Sequence, residues 1–259
     1  MNATLTGRKI LVVGAGTQAS DDPGAPVGNG RAIAVTAGRA GAVVTCADIN
    51  TTSAALTAAL VEADGATAHV LTADVTDADA CVGLIEAAAA AMDGLDGLVL
   101  NVGIGAGMGM TGTTAEQWDR VFAVNVRAHF LLAGAALGVM PAGGAIVFIS
   151  SIAGLTAGTR IPSYDASKSA LLGLCRQTAA EGARKGIRAN IVAPGLIDTP
   201  LGRAATGGRP SRAKAPVPLG RQGTAWEVAE PVVFLLSDAA SYITSQQLVV
   251  DGGITGCRG

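Results

Sequence analysis

The stretch VVGAGTQASDDPGAPVGNGRAIA (residues 12–34) decides the fold, because it leads from an apolar strand through a glycine-rich segment towards an apolar helix. Its middle part, SDDPGAPVG (residues 20–28), contains prolines that would break a helix. The part that follows, RAIAVTAGRA (residues 31–40), has the composition of a helix. A strand that meets a helix across glycines predicts a phosphate-binding turn, since glycines let the backbone approach a phosphate and the helix start offers unpaired N–H groups.

The glycines of this turn allow two interpretations. In the first, Gly14-x-Gly16-x-x-Ala19 is one continuous dinucleotide motif; in the second, Gly14 is the first glycine and Gly28-x-Gly30 follows after an insertion. The second is favoured because the helix can begin only after the prolines. The role of the insertion stays open between a surface loop, a flap over the ligand and a subunit contact.

The rest of the chain alternates buried apolar runs with alanine-rich helical stretches. Strands are predicted at 10–13, 42–46, 68–71, 98–100, 145–149, 188–192 and 247–250. Helices are predicted at 30–39, 52–63, 78–92, 115–137, 164–185 and 227–236. Strands that are apolar on both faces and separated by helices imply a parallel sheet covered on both sides. We therefore expect one domain over residues 1–259, a Rossmann-type, doubly wound α/β fold of about seven strands in three layers.

Composition excludes several classes of function. The chain has 18 basic and 20 acidic residues in 259, a net charge of −2, which does not favour nucleic acid or an anionic membrane as a partner. No uninterrupted apolar run approaches a membrane span and no secretion signal is recognised, so a cytoplasmic protein is expected. The cysteines Cys46, Cys81, Cys175 and Cys257 are too dispersed for a zinc site or disulfide framework. No metal site is predicted, and His129 is expected to be packed or exposed rather than catalytic.

An acidic residue closes the second predicted strand. Asp48 follows the run AVVTCA and could accept hydrogen bonds from an adenosine ribose, while it would repel a 2′-phosphate. The sequence therefore favours NAD over NADP as cofactor. Asp21 and Asp22, within the insertion, are expected to point into solvent because they would repel a pyrophosphate.

The catalytic signal lies in SSIAGLTAGTRIPSYDASKSALLG (residues 150–173). Tyr164 and Lys168 are four apart in a predicted helix and so project from one face, while Ser151 follows a strand. A free phenol has a pKa of about 10, and a neighbouring ammonium group stabilises the phenolate. The pair is therefore a candidate acid or base that works near neutral pH.

With these features together the chain resembles the short-chain dehydrogenase/reductase family, in its simple single-domain branch. The resemblance covers essentially the whole chain. It rests on the glycine turn, Asp48, ADVTD (73–77), NVG (101–103), VNV (124–126), SSIAG (150–154), Tyr164-x-x-x-Lys168, APGLIDTP (193–200), PLGRQGTAWEVAEPVVFLLSD (218–238) and VVDGG (249–253).

The resemblance implies catalytic roles for Asn125, Ser151, Tyr164 and Lys168. Tyr164 would exchange the substrate hydroxyl proton and Ser151 would hydrogen-bond the carbonyl oxygen. Lys168 would bind the nicotinamide ribose and lower the pKa of Tyr164, and Asn125 would hold a water in the proton relay. Ser150 is passed over because the family's spacing to the tyrosine selects the second serine.

The resemblance also implies the cofactor-binding residues. Asp74 and Val75 would contact adenine, Asn101 and Gly103 would line the cleft, and the segment after the sixth strand would meet the nicotinamide carboxamide. The full predicted set is Gly14, Gly28, Asn29, Gly30, Asp48, Asp74, Val75, Asn101, Gly103, Tyr164, Lys168, Pro194, Gly195, Ile197 and Thr199.

The chain departs from the family pattern at several positions. Val13 stands where threonine is frequent, Leu100 and Val102 alter an Asn-Asn-Ala-Gly motif, Asn29 replaces an apolar residue, and Ser245 replaces a glycine. None of these positions is catalytic. They indicate an atypical cofactor loop, and activity is expected to survive.

The segment TPLGRAATGGRPSRAKAPVPLGR (residues 199–221) is expected to form a lid that sets substrate specificity. It carries five basic residues, Arg203, Arg209, Arg212, Lys214 and Arg221. They belong either to a solvated lid or to a surface that steers an anionic substrate such as a carboxylate or acyl thioester. Met108 and Met110 either border the same pocket or anchor an ordinary loop.

The leading hypothesis is an NAD(P)-dependent short-chain alcohol dehydrogenase or ketoreductase (EC 1.1.1.-) that moves hydride between NAD(H) and a secondary alcohol or ketone. Two alternatives are an NADPH-dependent 3-oxoacyl thioester reductase, against which Asp48 stands, and a catalytically silent NAD-binding regulator. An epimerase or dehydratase of the extended branch would need a longer carboxyl-terminal region. The resemblance further implies a homotetramer.

Overall fold

The computed structural model describes residues 4–18, 24–207 and 217–257, and helices cover both faces of one seven-stranded sheet. The sheet strands are β1 (Lys9–Val13), β2 (Val43–Asp48), β3 (Ala68–Thr72), β4 (Gly97–Leu100), β5 (Ala145–Ile149), β6 (Arg188–Pro194) and β9 (Gln247–Val250). A small separate sheet pairs β7 (Ile197–Asp198) with β8 (Gly223–Thr224). The helices are α1 (Asn29–Arg39), α2 (Thr51–Ala63), α3 (Ala78–Met92), α4 (Ala115–Phe122), α5 (Ala128–Val139), α6 (Pro162–Gly182), α7 (Pro200–Gly207) and α8 (Ala225–Leu236). The predicted doubly wound fold is confirmed.

The strand order places β1 in the middle of the sheet. The order is β3-β2-β1-β4-β5-β6-β9 and every neighbouring pair is parallel. The last residue of β1, Val13, pairs with Ala47 on one side and Leu100 on the other. The chain thus builds outward from β1 in one direction and then in the other. In open parallel sheets ligands bind outside the carboxyl ends of the strands at such a reversal.

Each face of the sheet has its own apolar core. The first cluster includes Ile33 of α1 and Val232 of α8, and the second includes Leu132 of α5 and Leu171 of α6, all of them buried. Every residue of β4 and β5 is buried. This burial explains why the central strands read as continuous apolar runs rather than as alternating ones.

Three of the cysteines fill these cores. Cys46, Cys81 and Cys175 are buried free thiols, and Cys257 is exposed. Burial raises the pKa of Cys46 and of Cys175 to about 12, so both remain protonated and unreactive near neutral pH. Within the described ranges no group of three His, Cys, Asp or Glu side chains is placed to hold a metal ion.

The longest helical stretch joins α4 to α5 through a π-helical turn at Ala123–Arg127. By length and composition Ala115–Val139 could cross a membrane, which qualifies the expectation that no segment reaches that limit. In this protein 44% of its most apolar window is buried. The helix packs against α3 and α6, and its alanine and leucine side chains form part of the core. Its composition is therefore that of a core helix.

Before β5 the observed strand bounds differ from the predicted ones by one or two residues, as in β2, predicted at 42–46 and observed at Val43–Asp48, and larger differences lie after β5. The helix predicted at 164–185 begins at Pro162 and ends at Gly182, and a 3-10 turn follows it. The short elements β7, β8 and α7 were not predicted, since two-residue strands carry no periodic signal. Asp21 and Asp22 lie outside the described residues, so their predicted orientation stays a prediction.

Candidate active site

A cleft of about 960 Å³ opens at the carboxyl ends of the central strands. Its wall includes Val13 at the end of β1, Asp48 at the end of β2, Asn101 after β4 and Ser150 after β5. The cleft therefore lies at the reversal of strand order where a ligand site is expected. The predicted site residues that line it are Gly14, Gly28, Asn29, Gly30, Asp48, Asp74, Val75, Asn101, Gly103, Tyr164, Lys168 and Thr199.

The glycine turn at one end of the cleft has no room for side chains. Gly14 has a φ of 83°, and a Cβ there would lie 2.9 Å from Val102 Cγ1. A Cβ on Gly30 would lie 1.8 Å from the carbonyl oxygen of Gly14. α1 begins at Asn29, directly after Gly28, as the interpretation with an insertion requires. The first residues of α1, Asn29 and Gly30, line the cleft, and a helix start of this kind can bind an anion through its unpaired N–H groups.

Asn29, the unusual residue between the paired glycines, carries a second signal. Its Oδ1 atom is buried and makes no hydrogen bond with the part of the chain that the structure describes. Buried polar atoms are as a rule hydrogen-bonded. An unpaired acceptor in this position fits a ligand that brings a hydrogen-bond donor to Asn29.

Asp48 is held at the end of β2 by backbone donors. Its Oδ2 accepts a hydrogen bond from the Gly16 N–H at 2.9 Å, and its Oδ1 accepts one from the Asn50 N–H at 3.0 Å. A Cβ on Gly16 would lie only 2.7 Å from Oδ2. The carboxylate is thus fixed against the glycine turn and still lines the cleft.

The end of the cleft that holds the glycine turn and Asp48 also includes Asp74 and Val75, which follow β3. Asp74 Oδ1 accepts hydrogen bonds from the Thr76 N–H at 2.9 Å and the Thr76 hydroxyl at 2.8 Å, and these bonds lower the pKa of Asp74. Arg127 donates to the Thr76 carbonyl oxygen at 2.8 Å. Arg120 and Arg127 line this end but were not predicted, because only the tertiary fold brings the helix that carries them to β3.

The segment after β4 connects the two ends of the cleft. Asn101 Nδ2 donates to the Gly14 carbonyl oxygen at 2.8 Å. Asn125 binds both backbone groups of Ile104, accepting from its N–H and donating to its carbonyl oxygen at 2.9 Å each. A Cβ on Gly103 would lie 3.1 Å from Lys168 Nζ. This segment therefore fixes the spacing between the glycine turn and the lysine.

Asn125 lies beneath the cleft rather than in its lining. It is fully buried in the π-helical turn, and its Nδ2 also donates to Ser167 Oγ at 2.9 Å. Both donors of its side-chain amide are therefore used by the protein. A water held at this position would have to bind another atom of the turn.

His129 is buried one helical turn after Asn125, so of the two expected environments, packed or exposed, it has the packed one. Its Nε2 is hydrogen-bonded to the Val102 carbonyl oxygen at 3.1 Å. Burial, with a smaller contribution from the Lys168 charge, lowers the pKa of His129 to about 3. The imidazole is thus neutral at physiological pH and supports the segment after β4.

Tyr164 and Lys168 project from the same face of α6 into the cleft. Lys168 Nζ lies 5.6 Å from the centroid of the Tyr164 ring and donates to the Ile149 carbonyl oxygen at 2.9 Å. Lys168 is only 4% exposed, and burial lowers its pKa to about 8. No carboxylate among the described residues forms an ion pair with Lys168, and a buried, unpaired ammonium group acts strongly on a neighbouring phenol.

The two serines after β5 differ in environment. Ser150 is buried, lines the cleft and donates from Oγ to the Lys168 carbonyl oxygen at 2.9 Å. Ser151 is partly exposed, and its Oγ accepts from the Ala153 N–H at 3.2 Å at the start of a 3-10 turn. The predicted Ser151 thus lies beside the cleft wall, whereas Ser150 is part of it.

The predicted residues after β6 are only partly brought to the cleft. Gly195, which follows Pro194, donates its N–H to the Val250 carbonyl oxygen at 2.9 Å, and Ile197 is buried in β7. Thr199 lines the cleft, together with the following residues Pro200 and Leu201. Pro194, Gly195 and Ile197 are not among the residues that line the cleft.

The described arginines of the predicted lid are paired with carboxylates. Arg203 donates to both oxygens of Asp198 at 2.7 and 2.9 Å. Arg221 donates to both oxygens of Glu227 at 2.8 and 2.6 Å. Arg209, Arg212 and Lys214 lie outside the described residues, so steering of an anionic substrate stays a hypothesis. Met108 and Met110 are 48% and 83% exposed.

Known proteins share both the sequence and the fold of this chain. The family profile described as Enoyl-(Acyl carrier protein) reductase matches residues 24–255. The 2-(S)-hydroxypropyl-CoM dehydrogenase 3 of Xanthobacter autotrophicus is 39% identical over 90% of this chain and 94% of its own. A second protein of that organism, named as an inactive 2-(S)-hydroxypropyl-CoM dehydrogenase 2, is 42% identical over 84% of this chain and 96% of its own. The cyclopentanol dehydrogenase of Comamonas testosteroni is 38% identical over 84% and 88%.

More distant relatives include the 3-oxoacyl-[acyl-carrier-protein] reductase of Escherichia coli, 36% identical over 89% of this chain and 94% of its own. Among solved structures, a proposed short-chain alcohol dehydrogenase from Sinorhizobium meliloti 1021 has a TM-score of 0.90 at 35% identity, with both chains fully covered. A proposed 2-deoxy-d-gluconate 3-dehydrogenase from Agrobacterium tumefaciens with bound NADP has a TM-score of 0.86 at 34% identity, over 98% of this chain and 99% of its own. Sequence, fold and site geometry agree that the chain belongs to the short-chain dehydrogenase/reductase family.

Proposed function

We propose that this protein is an NAD-dependent alcohol dehydrogenase or ketone reductase that acts on a secondary alcohol or its ketone. One observation carries the proposal: the buried ammonium group of Lys168 lies beside the ring of Tyr164, in the same cleft as a turn whose glycines have no room for a Cβ. Few other functions need a phenol and a lysine arranged in this way at the end of a nucleotide cleft. The whole chain, residues 1–259, then acts as one NAD(P)-binding oxidoreductase domain.

The cofactor would lie along the cleft from Asp74 to Lys168. The N–H groups at the start of α1 would bind the pyrophosphate, Asp48 the adenosine ribose, and Lys168 the nicotinamide ribose. When bound, the nicotinamide ring supplies the hydride acceptor or donor. The proposed cofactor residues are those predicted from the sequence: Gly14, Gly28, Asn29, Gly30, Asp48, Asp74, Val75, Asn101, Gly103, Tyr164, Lys168, Pro194, Gly195, Ile197 and Thr199.

Tyr164 is the proposed acid and base. During oxidation its phenolate takes the proton of the substrate hydroxyl, and during reduction its phenol returns a proton to the carbonyl oxygen. Lys168 stabilises the phenolate; each unit by which it lowers the pKa of Tyr164 requires about 1.4 kcal/mol of preferential stabilisation. Because the pKa of Lys168 is about 8, the ammonium form predominates at pH 7.

Ser151 and Asn125 complete the proposed catalytic set. Ser151 donates its hydroxyl proton to the substrate oxygen, while its Oγ can still accept the hydrogen bond from the Ala153 N–H. Asn125 belongs to the proton relay through a water, and its side chain also holds Ile104 beside the cleft.

The substrate class is supported by the names of the relatives and by the cleft. Hydroxypropyl-CoM and cyclopentanol both carry a secondary hydroxyl group, and dehydrogenases named for them are 38–39% identical to this chain. The wall of the cleft that contains Tyr164 also includes the apolar residues Ile104, Pro200 and Leu201. The same proposal includes a small-molecule partner and no nucleic acid or membrane partner. It also includes a homotetrameric assembly and a cytoplasmic location.

A second candidate is an NADPH-dependent 3-oxoacyl thioester reductase. The relative of that name in Escherichia coli is 36% identical, and one structural neighbour carries NADP. Asp48 favours NAD because its carboxylate, fixed against the glycine turn, would face a 2′-phosphate. The cofactor preference therefore separates the two candidates.

The test is absorbance of the reduced nicotinamide while NAD or NADP is offered with a panel of secondary alcohols. NAD-dependent turnover that Tyr164→Phe abolishes supports the proposal, provided that the variant still binds NADH. Turnover with NADP alone, together with reduction of 3-oxoacyl thioesters, supports the second candidate. Cofactor binding without turnover on any alcohol, ketone or thioester identifies a silent cofactor-binding protein.

A further inference from the structure

The inserted segment 18–27 leaves the glycine turn and returns to the same place. The Gly28 N–H donates a hydrogen bond to Thr17 Oγ1 at 2.7 Å. A Cβ built on Gly28 would lie 3.7 Å from the Thr17 Cα. The two ends of the segment are therefore in direct contact, since a side-chain atom on Gly28 would be in van der Waals contact with the Thr17 backbone.

Thr17 is itself fixed to α2 by Ser53. The Thr17 N–H donates to Ser53 Oγ at 2.8 Å, and the Ser53 hydroxyl donates to the Thr17 carbonyl oxygen at 2.8 Å. Ser53 is buried, and its own N–H is bound by the Asn50 side chain at 2.9 Å. The outgoing end of the segment thus has a rigid support that does not depend on the segment itself.

We propose that Thr17 and Ser53 are positioning residues that hold the two halves of the phosphate turn together, and that residues 18–27 are dispensable for cofactor binding. The inference rests on the proposed dinucleotide site. In this proposal the hydrogen bond between the Thr17 hydroxyl and the Gly28 N–H takes the place of a covalent connection between Gly14-x-Gly16 and Gly28-x-Gly30. The turn then presents the same backbone N–H groups as an uninterrupted turn would.

Removing residues 18–27 would join Thr17 directly to Gly28 and leave Gly14-Ala-Gly-Thr-Gly-Asn-Gly. In such a chain a peptide bond performs the task of the Thr17 hydroxyl. The hydroxyl should therefore matter in the full chain and cease to matter after the deletion. A competing view is that the segment contributes ligand contacts, since Gln18 lines the cleft.

The experiment is a cycle of four proteins: wild type, Thr17→Val, the deletion of 18–27, and the deletion with Thr17→Val. NADH binding is measured by fluorescence titration, and thermal unfolding is measured without cofactor. In the full chain Thr17→Val should weaken NADH binding between about two- and tenfold, the range of one hydrogen bond, and lower Tm. In the deletion background the same substitution should change neither, and the deletion alone should keep NADH affinity within about threefold.

Controls separate the hydroxyl from packing. Thr17→Ser keeps the hydroxyl and should restore NADH affinity, whereas Ser53→Ala should resemble Thr17→Val. Equal losses of NADH affinity from Thr17→Val in both backgrounds overturn the proposal. A deletion variant that folds but no longer binds NADH also overturns it, and so does a deletion variant that fails to fold. If the wild type binds no nicotinamide cofactor, the proposed function fails, and the Tm values of the cycle still decide whether Thr17 joins the turn.

Discussion

The two ends of the cleft are built in different ways. At the nucleotide end, the contacts that shape the site are backbone groups and missing side chains: a Cβ on Gly30 would overlap the Gly14 carbonyl oxygen at 1.8 Å. At the catalytic end, the site depends on buried side chains, with Lys168 only 4% exposed and Asn125 fully buried. One end is defined by what the backbone presents, and the other by the chemistry of particular groups.

This difference explains where the chain tolerates change. The nucleotide end accepts the segment 18–27 because it needs only the correct placement of N–H groups, which Thr17 and Gly28 restore. The catalytic end lies between β5 and α6, where Lys168 Nζ is tied to the Ile149 carbonyl oxygen. An insertion there would separate the ammonium group from the strand that supports it. We therefore expect substitutions at the catalytic end to have the larger effects on rate.

The largest effect is expected for Lys168→Met. Without the ammonium group the pKa of Tyr164 rises towards that of a free phenol, so kcat/KM for alcohol oxidation at pH 7 should fall by about 10²–10⁴. Lys168→Arg keeps a positive charge and should retain more activity if the buried site accommodates it. A loss below tenfold in Lys168→Met would show that the lysine does not control the tyrosine, and the contrast between the two ends would disappear.

The same substitution should stabilise the protein. Burial lowers the pKa of Lys168 from 10.5 to about 8, so at pH 7 folding carries the cost of burying a charge, on the order of 3 kcal/mol. Because the unfolded state binds more protons between pH 8 and 10.5, wild-type stability should gain over this interval, and Lys168→Met should lack that gain. Unfolding of both proteins at pH 7 and pH 10 measures it. A Tm advantage of the variant that does not shrink at pH 10 would contradict the linkage.

A smaller loss is expected for Ser151→Ala, with Ser150→Ala as the matched control. If Ser151 binds the substrate oxygen, its alanine variant should lower kcat by about 10² while NADH affinity is unchanged. Ser150→Ala removes only the hydrogen bond to the Lys168 carbonyl oxygen and should lower Tm more than kcat. The reverse ranking in kcat would assign the substrate contact to Ser150, the serine that lines the cleft.

Much of the nucleotide end could be predicted because its requirements are local. Gly14 has a positive φ, and Gly30 has no room for a Cβ. Both positions therefore require glycine, and the spacing of the glycines in the sequence was enough to predict the turn. The strands were predictable for a similar reason, since β5 is buried throughout and reads as one apolar run. Lys168 and Tyr164 were predictable because a spacing of four places both on one helical face.

What could not be predicted depends on long-range contacts. The hydroxyl of Ser53 meets Thr17 only after α2 has packed beside the turn, and no spacing in the sequence announces that pair. The π-helical turn at Ala123–Arg127 gives no periodic signal distinct from that of an α-helix. At Ser245 the structure explains a residue of the family pattern from which this chain departs. Its φ of 63° lies in the left-handed region that favours glycine, which is the family's residue at that position.

The smallest of these effects on rate is expected at Asp48, where the cofactor preference is decided. Asp48→Asn keeps the shape of the side chain and an oxygen for the Gly16 N–H, but it removes the negative charge near a 2′-phosphate. The ratio of kcat/KM with NAD to that with NADP should fall by about tenfold, which corresponds to about 1.4 kcal/mol. Asp74→Asn, after β3, is the control and should change kcat/KM with NAD and with NADP by the same factor. An unchanged ratio in Asp48→Asn would mean that the backbone of the turn, rather than this carboxylate, sets the cofactor preference. The nucleotide end would then be defined by its backbone in specificity as well as in shape.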